Sequence, residues 1–329
     1  MTLRIGTLGA AAIAPMALIK PAHDVAGVTV TAVAARDPQV AARFAAKHGI
    51  ERVLNSYDAL VADPDIDAVY IPLPNGLHGR WTARALEAGK HVLCEKPFAA
   101  NADEAAAIAD QAAGTDLVVM EAFHWRYHPA AQRMVEVLRS GELGEIKHVD
   151  AALAFPLPRR GDIRFNLDLA GGALMDAGCY AINWLRTAAA EEPVVVSAKS
   201  VLTRGGVDRA TTASLRFPSG ATGSITASLL SARHPLALQL TVTTARGKLR
   251  YFNPVMPKLF GSLTVTVDGK RRREDVPKTA TYNYQLAAFR DAIRDGKPFP
   301  STAADAVQNM AVIDAIYRAA GQAPRSPTS

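Results

Sequence analysis

Asp176, Tyr180 and Asn183 stand at i, i+4 and i+7 in the stretch that begins GGALMDAGCY, so a helix there puts a carboxylate, a phenol and a carboxamide on one face. Such a face suits proton exchange with a hydroxyl. It equally suits a buried tyrosine with a hydrogen-bond partner. Gly178 inside that helix costs about 1 kcal/mol relative to alanine, which points to a close approach of something against it. A second set of reactive side chains, Glu95-Lys96-Pro97, follows the apolar run His91–Cys94. That places it at the carboxyl end of a strand, where open α/β sheets bind ligands, although a Glu-Lys-Pro tripeptide by itself also reads as a surface turn.

The stretch IGTLGAAAIAP, Ile5 to Pro15, has the position of a first strand and phosphate loop. In a dinucleotide-binding turn the first glycine allows the bend, the second lets the backbone approach the pyrophosphate, and the third lets helix and strand pack. Here those positions hold Gly9, Ala11 and Ala14, so the loop residues Gly9, Ala11, Ala12 and Ile13 are compatible with a cofactor site or an ordinary strand–helix turn. The end of the second strand shifts the balance. An NAD site carries an acidic residue there, whereas this chain has Ala35 and Arg36, and a guanidinium suits a 2′-phosphate through charge-assisted hydrogen bonds. Asp37 before Pro38 is better explained as a helix cap. Loop and arginine together favour NADP(H) over NAD(H).

These residues need elements to carry them. Up to residue 121, apolar runs (Leu3–Leu8, Val28–Ala34, Ala68–Ile71, His91–Cys94, Leu117–Met120) alternate with amphipathic stretches opened by Asp37, Ser56 and Asn101. Such alternation predicts a doubly wound parallel sheet, a Rossmann domain over 1–121. A helix His128–Ser140 ending at Gly141, a strand Lys147–Ala154, a loop and the helix bearing Tyr180 then precede extended runs at Val194–Leu202, Thr211–Phe217, Thr222–Leu229, Leu238–Thr244, Lys248–Phe252 and Leu263–Val267. Gly-rich turn pairs separate many of them, so residues 122–321 read as an α+β domain with a mostly antiparallel open sheet, closed by helices near Tyr282–Asp295 and Thr302–Ala320. The tail 322–329 is expected to be disordered.

The composition, 49% hydrophobic and 21% charged with a net charge of +6, is that of an ordinary globular protein. The basic residues are scattered, and the one tight cluster, Lys270-Arg271-Arg272-Arg273, follows the turn pair Asp268-Gly269 and reads as a solvated hairpin tip. No nucleic-acid-reading motif accompanies it. No apolar run approaches the roughly 20 residues of a membrane span. The two cysteines form no framework, and the first residues enter a strand pattern without an apolar leader, so a cytoplasmic protein is expected. His124 and His128 are spaced i, i+4, but the H-E-x-x-H glutamate is missing and Pro129 follows, so no metal site is expected.

Three stretches in order, PLPNGLH (Pro72–His78), GKHVLCEKP (Gly89–Pro97) and GGALMDAGCY (Gly171–Tyr180), placed after a Rossmann start, resemble the glucose–fructose oxidoreductase / inositol dehydrogenase (Gfo/Idh/MocA) family over essentially the whole chain. The AARD stretch and the tyrosine at 180 are most similar to the NADP-linked dihydrodiol (D-xylose) dehydrogenases within it. The resemblance implies hydride transfer between a nicotinamide and a carbinol or carbonyl of a sugar, polyol or cyclic diol. It implies catalytic roles for Lys96, Tyr180 and Asp176: Tyr180 exchanges the hydroxyl proton, Lys96 favours the phenolate, and Asp176 orients Lys96 or the substrate hydroxyl. It also places Pro72, Asn75, His78, Glu95, Trp125 and Arg126 on the cofactor side, with Glu121 near the nicotinamide, and makes Arg164, Phe165 and Asn183 candidate substrate contacts. Relatives dimerise through the open face of the second-domain sheet, and SITASLL (Ser224–Leu230) and LALQLTVTT (Leu236–Thr244) read as apolar enough on one face to do the same in a homodimer or higher homo-oligomer. Two alternatives stand beside this reading. One is an NAD-linked inositol-type dehydrogenase, which the missing acidic residue at 35 opposes; the other is a non-catalytic NADP-binding regulator, which the retention of Lys96 and Tyr180 opposes.

Overall fold

Most of the short apolar runs of the first half become the strands of a parallel sheet. These are β1 (Leu3–Leu8), β2 (Val28–Ala34), β3 (Arg52–Leu54), β4 (Ala68–Ile71), β5 (His91–Cys94) and β6 (Val119–Glu121). Their order is β3-β2-β1-β4-β5-β6, with every neighbouring pair parallel. All four residues of β4 are buried, as a strand covered on both faces requires. The order reverses between β1 and β4, which makes the carboxyl ends of these two strands the place for a ligand. Edge strand β3 escapes a search for apolar runs, because its three residues are half-buried or exposed.

The helices of this sheet start where the caps are. Asp37 accepts from Gln39 N at 2.8 Å and opens α2 (Pro38–His48) after α1 (Lys20–Asp24). Ser56 accepts from Ala59 N at 3.0 Å and opens α3 (Tyr57–Val61). α4 (His78–Glu87) follows, and Asn101 accepts from Glu104 N at 2.9 Å at the head of α5 (Ala102–Ala113). Each such cap contributes about 1 kcal/mol.

Further along lie α6 (Pro129–Arg139), β7 (Ile146–Ala154), α7 (Cys179–Ala189), β8 (Val194–Leu202), β9 (Asp208–Arg216), β10 (Thr222–Ser228), β11 (Ala237–Thr244), β12 (Gly247–Phe252), α8 (Pro257–Phe260), β13 (Ser262–Val267), β14 (Lys270–Glu274), α9 (Thr281–Asp295) and α10 (Ala303–Ala319). The second sheet runs β14-β13-β12-β11-β7-β10-β9-β8, with β7 and β10 parallel and the other pairs antiparallel. The computed structural model describes residues 2–157, 161–230 and 236–328. They form two units: the chain up to His124 with Tyr282–Val307, and Trp125–Thr281 with Gln308–Thr328. Tyr282–Val307 thus groups with the Rossmann sheet, where the sequence alone assigns it to the second domain.

Three sequence expectations change here. The apolar residues of β10 and β11 (Ile225, Ala227, Leu240, Val242) are buried on the face that α7 covers, so strand alternation leaves Thr222, Ser224, Thr226, Gln239, Thr241 and Thr243 on the open face. On these two strands the open face is rich in hydroxyls, while Val194 of β8 and Phe252 of β12 bring apolar side chains to the same face. The basic run Lys270–Arg273 is no hairpin tip: Asp268 and Gly269 make the turn with positive φ, and the run pairs with β13 as a charged edge strand. The tail is ordered through Thr328, because Arg325 is buried in an ion pair with Asp208 and Thr328 Oγ1 donates to Asp168 O at 2.6 Å.

Candidate active site

Gly9 leaves β1 with φ +102 and donates its N–H to Ala34 O at 2.7 Å, tying the loop to the end of β2. A Cβ at this position would stand 3.2 Å from Leu73 Cδ2 under strained backbone, so glycine is required. Ala11, Ala12 and Ile13 then lead to a helical segment in which the π-turn Pro15–Ile19 continues into α1. In this loop only Gly9 has positive φ, so the Ala11 methyl is accommodated without backbone strain. Ala14 is fully buried, as close packing of helix on strand demands. The residues present therefore fit a dinucleotide: a left-handed turn at Gly9, then backbone amides at a helix N-terminus that favour a pyrophosphate.

Arg36 is exposed just past the carboxyl end of β2, while the Asp37 carboxylate is already used on Gln39 N and Val40 N. Tyr57, which the sequence reading missed, lies beside both features. Its hydroxyl would be 3.9 Å from a Cβ on Gly9, and burial raises its pKa while the charge and the backbone N–H of Arg36 lower it. No spacing rule links residues 9, 36 and 57; the sheet order brings them together.

Past β4 and β5 the chain builds a second patch of the same edge. Pro72 is buried, Asn75 opens a 3-10 turn, and the Lys96–Pro97 peptide is cis. His78, expected on the cofactor side, has both ring nitrogens against backbone carbonyls. Nδ1 lies 2.6 Å from Pro97 O and Nε2 2.7 Å from Leu73 O; the neutral ring donates to one of these two carbonyls, so His78 sits between the Pro72–Asn75 loop and the Lys96 segment. Burial pushes its pKa down to about 4, against the two carbonyls that raise it. Glu95 is buried and accepts from Tyr70 OH at 2.8 Å, and Glu121 accepts from Phe98 N at 3.0 Å. Lys96, between these anchored neighbours, is half-buried. A tyrosine in the apolar strand AVYI is itself a signal, since a buried phenol needs a partner. Tyr282 stacks on His124 with centroids 4.0 Å apart, and burial, with Glu95 adding to it, pushes its phenol up.

The second unit carries the other set. Leu174–Gly178 form a π-turn that runs into α7, so Asp176 and Tyr180 do not sit on a regular α-helical face. Asp176 is buried, and its Oδ1 lies 3.0 Å from Arg164 Nε; Arg164 also bonds Asp162 at 3.2 Å and is held in the charged form, chiefly by Asp176. Phe165 is half-buried in the same loop, whose Arg159 and Arg160 lie outside the described residues. Tyr180 is buried with its ring 6.1 Å from that of Trp184. Asn183 is fully buried and accepts from Trp125 Nε1 at 2.9 Å. Trp125 is fully buried, edge-on to Trp184 at 6.3 Å. This pair is better described as interior packing than as ligand contacts, whereas Arg126 is half-buried. His128 caps α6 by accepting from Ala130 N at 3.2 Å.

The family description "Oxidoreductase family, NAD-binding Rossmann fold" matches residues 3–123, and "GFO/IDH/MocA C-terminal domain" matches residues 131–250. The chain is 38% identical over 322 residues to a D-xylose 1-dehydrogenase (NADP(+)) of Haloferax volcanii, covering 97% of each. It is 31% identical over 254 residues to a trans-1,2-dihydrobenzene-1,2-diol dehydrogenase of Xenopus tropicalis, covering 76% of this chain and 74% of that one. Among solved structures it is similar to the 3-ketoreductase KijD10 of Actinomadura kijaniata, crystallised with NADP and TDP-benzene, at a TM-score of 0.89 and 28% identity, covering 97% of this chain and 98% of that one.

Proposed function

The chain belongs to the GFO/IDH/MocA oxidoreductase family, and from that premise we propose that it is an NADP(H)-dependent oxidoreductase of a sugar, polyol or cyclic diol. The observation that carries the cofactor choice is local. Asp37 is consumed by the α2 cap, and Arg36 is left exposed at the end of β2, where a 2′-phosphate is read. The NADP-named xylose dehydrogenase and the NADP complex of KijD10 support the same choice.

NADP(H), when bound, supplies or takes the hydride. The loop from Gly9 to Ile13 holds the pyrophosphate, and Arg36 with Tyr57 takes the adenosine end. Pro72, Asn75, Glu95 and Lys96 line the carboxyl edge beyond β4 and β5. Tyr180 exchanges the substrate hydroxyl proton. A free phenol with a pKa of about 10 is a poor base at neutral pH, and the Lys96 ammonium is assigned the charge that favours its phenolate. Asp176, held by Arg164, orients the reacting hydroxyl, Phe165 contacts the substrate, and Arg126 stays on the cofactor side. Oxidation is balanced: the carbinol carbon loses a hydride, and its hydroxyl loses a proton to Tyr180.

Homodimerisation through the open face of the second sheet belongs to the same reading; Val194 and the Phe252–Phe260 pair are the apolar groups that would support it. A cytoplasmic location belongs to the same reading; Cys94 and Cys179 are both buried. No helix among the described residues is long and apolar enough to cross a membrane.

The test is a fluorescence titration with NADPH and NADH, followed by a turnover screen over aldoses, polyols and dihydrodiols. Tyr180→Phe and Lys96→Met are each expected to lower kcat by about 100-fold or more, the usual range for lost acid–base catalysis, with NADPH still bound. Intact turnover in both variants refutes the assigned roles.

A further inference from the structure

Asp208, at the head of β9, is a carboxylate with no exposed surface and four donors. Oδ2 accepts from Leu174 N at 2.8 Å and Thr211 Oγ1 at 3.1 Å; Oδ1 accepts from Tyr317 OH at 2.9 Å and Arg325 Nη2 at 2.5 Å. The Arg325 guanidinium also donates from Nε to Gly171 O at 2.9 Å and lies 4.2 Å over the Tyr317 ring. Burial pushes the Asp208 carboxyl up, and Arg325 with the other donors opposes it. Placing an ion pair in the interior is expensive unless the remaining hydrogen-bonding capacity is met, as it is here.

The cluster grips a particular turn. Gly171 O and Leu174 N, its two backbone holds, bracket the entry to the π-turn that carries Asp176, and Asp176 N donates to Gly172 O at 3.0 Å. Gly172 has φ +146, and a Cβ there would stand 2.2 Å from Asp208 Oδ1 and 2.7 Å from Tyr317 OH. A Cβ on Gly171 would meet Arg164 O and Asn166 O at 2.6 Å, so the loop bearing Arg164 wraps the same point. Thr328 Oγ1, on Asp168 O, ties that loop to the tail again.

We infer that the C-terminal segment is a strap in which Arg325, through Asp208 and the Gly171-Gly172 turn, positions the Arg164–Asp176 pair and Tyr180 for the reaction. Arg325 and Asp208 are positioning residues, acting from behind the turn. The inference rests on the reading of Asp176 and Tyr180 as working residues. It differs from a purely structural role because the strap holds backbone atoms of Gly171 and Leu174, five and two residues before Asp176, where a displacement of about 1 Å can cost 100-fold in rate.

Arg325→Ala, Arg325→Lys and Asp176→Asn are compared with the unaltered chain in kcat, KM, NADPH affinity and unfolding temperature. Arg325→Ala is expected to lower kcat about 10- to 100-fold with NADPH affinity held within about twofold, and millimolar guanidinium is expected to restore much of the loss. Arg325→Lys, which keeps the charge without the fork, should fall between. An inactive Asp176→Asn beside an Arg325→Ala of normal kcat overturns the strap alone, and so does a loss that guanidinium leaves unrepaired and that follows the unfolding temperature. A fully active Asp176→Asn overturns the role read for Asp176 and the strap with it, while the oxidoreductase reading is tested separately by Tyr180→Phe and Lys96→Met. If Arg325→Ala does not fold, a wild-type kcat in Arg325→Lys overturns the strap and a reduced kcat at unchanged unfolding temperature supports it.

Discussion

The Arg164 guanidinium sits with Nε 3.0 Å from Asp176 Oδ1, so a loop residue and a residue of the π-turn share one ion pair at the candidate reaction side of the second unit. Arg164 is only partly buried, and the pair's value lies in orientation more than in stability. Arg164→Met is expected to lower kcat about tenfold by freeing the Asp176 carboxylate, with NADPH affinity unchanged. Steady-state kinetics beside a cofactor titration checks it; a change confined to cofactor affinity would contradict the assignment.

Arg36→Ala removes the exposed guanidinium past β2 while leaving the Asp37 cap in place. Charge-assisted hydrogen bonds to a phosphate contribute about 1.5–3 kcal/mol, so NADPH affinity should fall roughly 10- to 100-fold and NADH affinity hardly at all. The two titrations, run on both proteins, decide it. A clear NADH preference in the unaltered chain would remove the argument from Arg36.

His78 makes stability depend on pH. Its pKa falls from 6.5 to about 4 on folding, chiefly through burial, so between those values the unfolded chain binds a proton that the folded chain does not. The stabilisation is complete above pH 6.5 and is lost as pH falls towards 4, by at most about 3 kcal/mol. Urea unfolding across that window should show the slope. His78→Asn should flatten its own share of it.

Gly172→Ala tests the close approach at the head of the π-turn. The new Cβ would overlap Asp208 Oδ1 at 2.2 Å, and φ +146 disfavours any side chain. A loss of about 3 kcal/mol or more is expected in thermal or urea unfolding, whereas Gly220→Ala, where a Cβ meets nothing within 4 Å, should cost less, since only its φ of +87 resists.

Much of this molecule is written locally. The bounds of β1, β2, β4 and β5 are readable because buried parallel strands are apolar runs between turn residues, and Asp37, Ser56 and Asn101 announce their helices by the oxygen each offers to the first amides. Arg36 and the Glu95-Lys96-Pro97 stretch are legible for the same reason: each follows a strand that is itself legible. β3 is not, being three partly exposed residues, nor is β14, whose charges mark an edge strand as readily as a turn.

By itself, then, the sequence determined the Rossmann half, the order of the loops along its carboxyl edge and the residue types offered there, because hydrophobic period and capping chemistry act over a few residues. The tertiary structure alone decided which face of β10 and β11 is core, since alternation supplies two faces and only the packing of α7 chooses between them. It set both ring nitrogens of His78 against backbone carbonyls and packed Trp125 edge-on to Trp184, because burial depends on what packs against a side chain and not on its neighbours in the chain. It also joined Asp208 to Arg325, 117 positions apart, around Gly172. No spacing rule reaches that far; a buried carboxylate finds its cation only when the chain has closed around it.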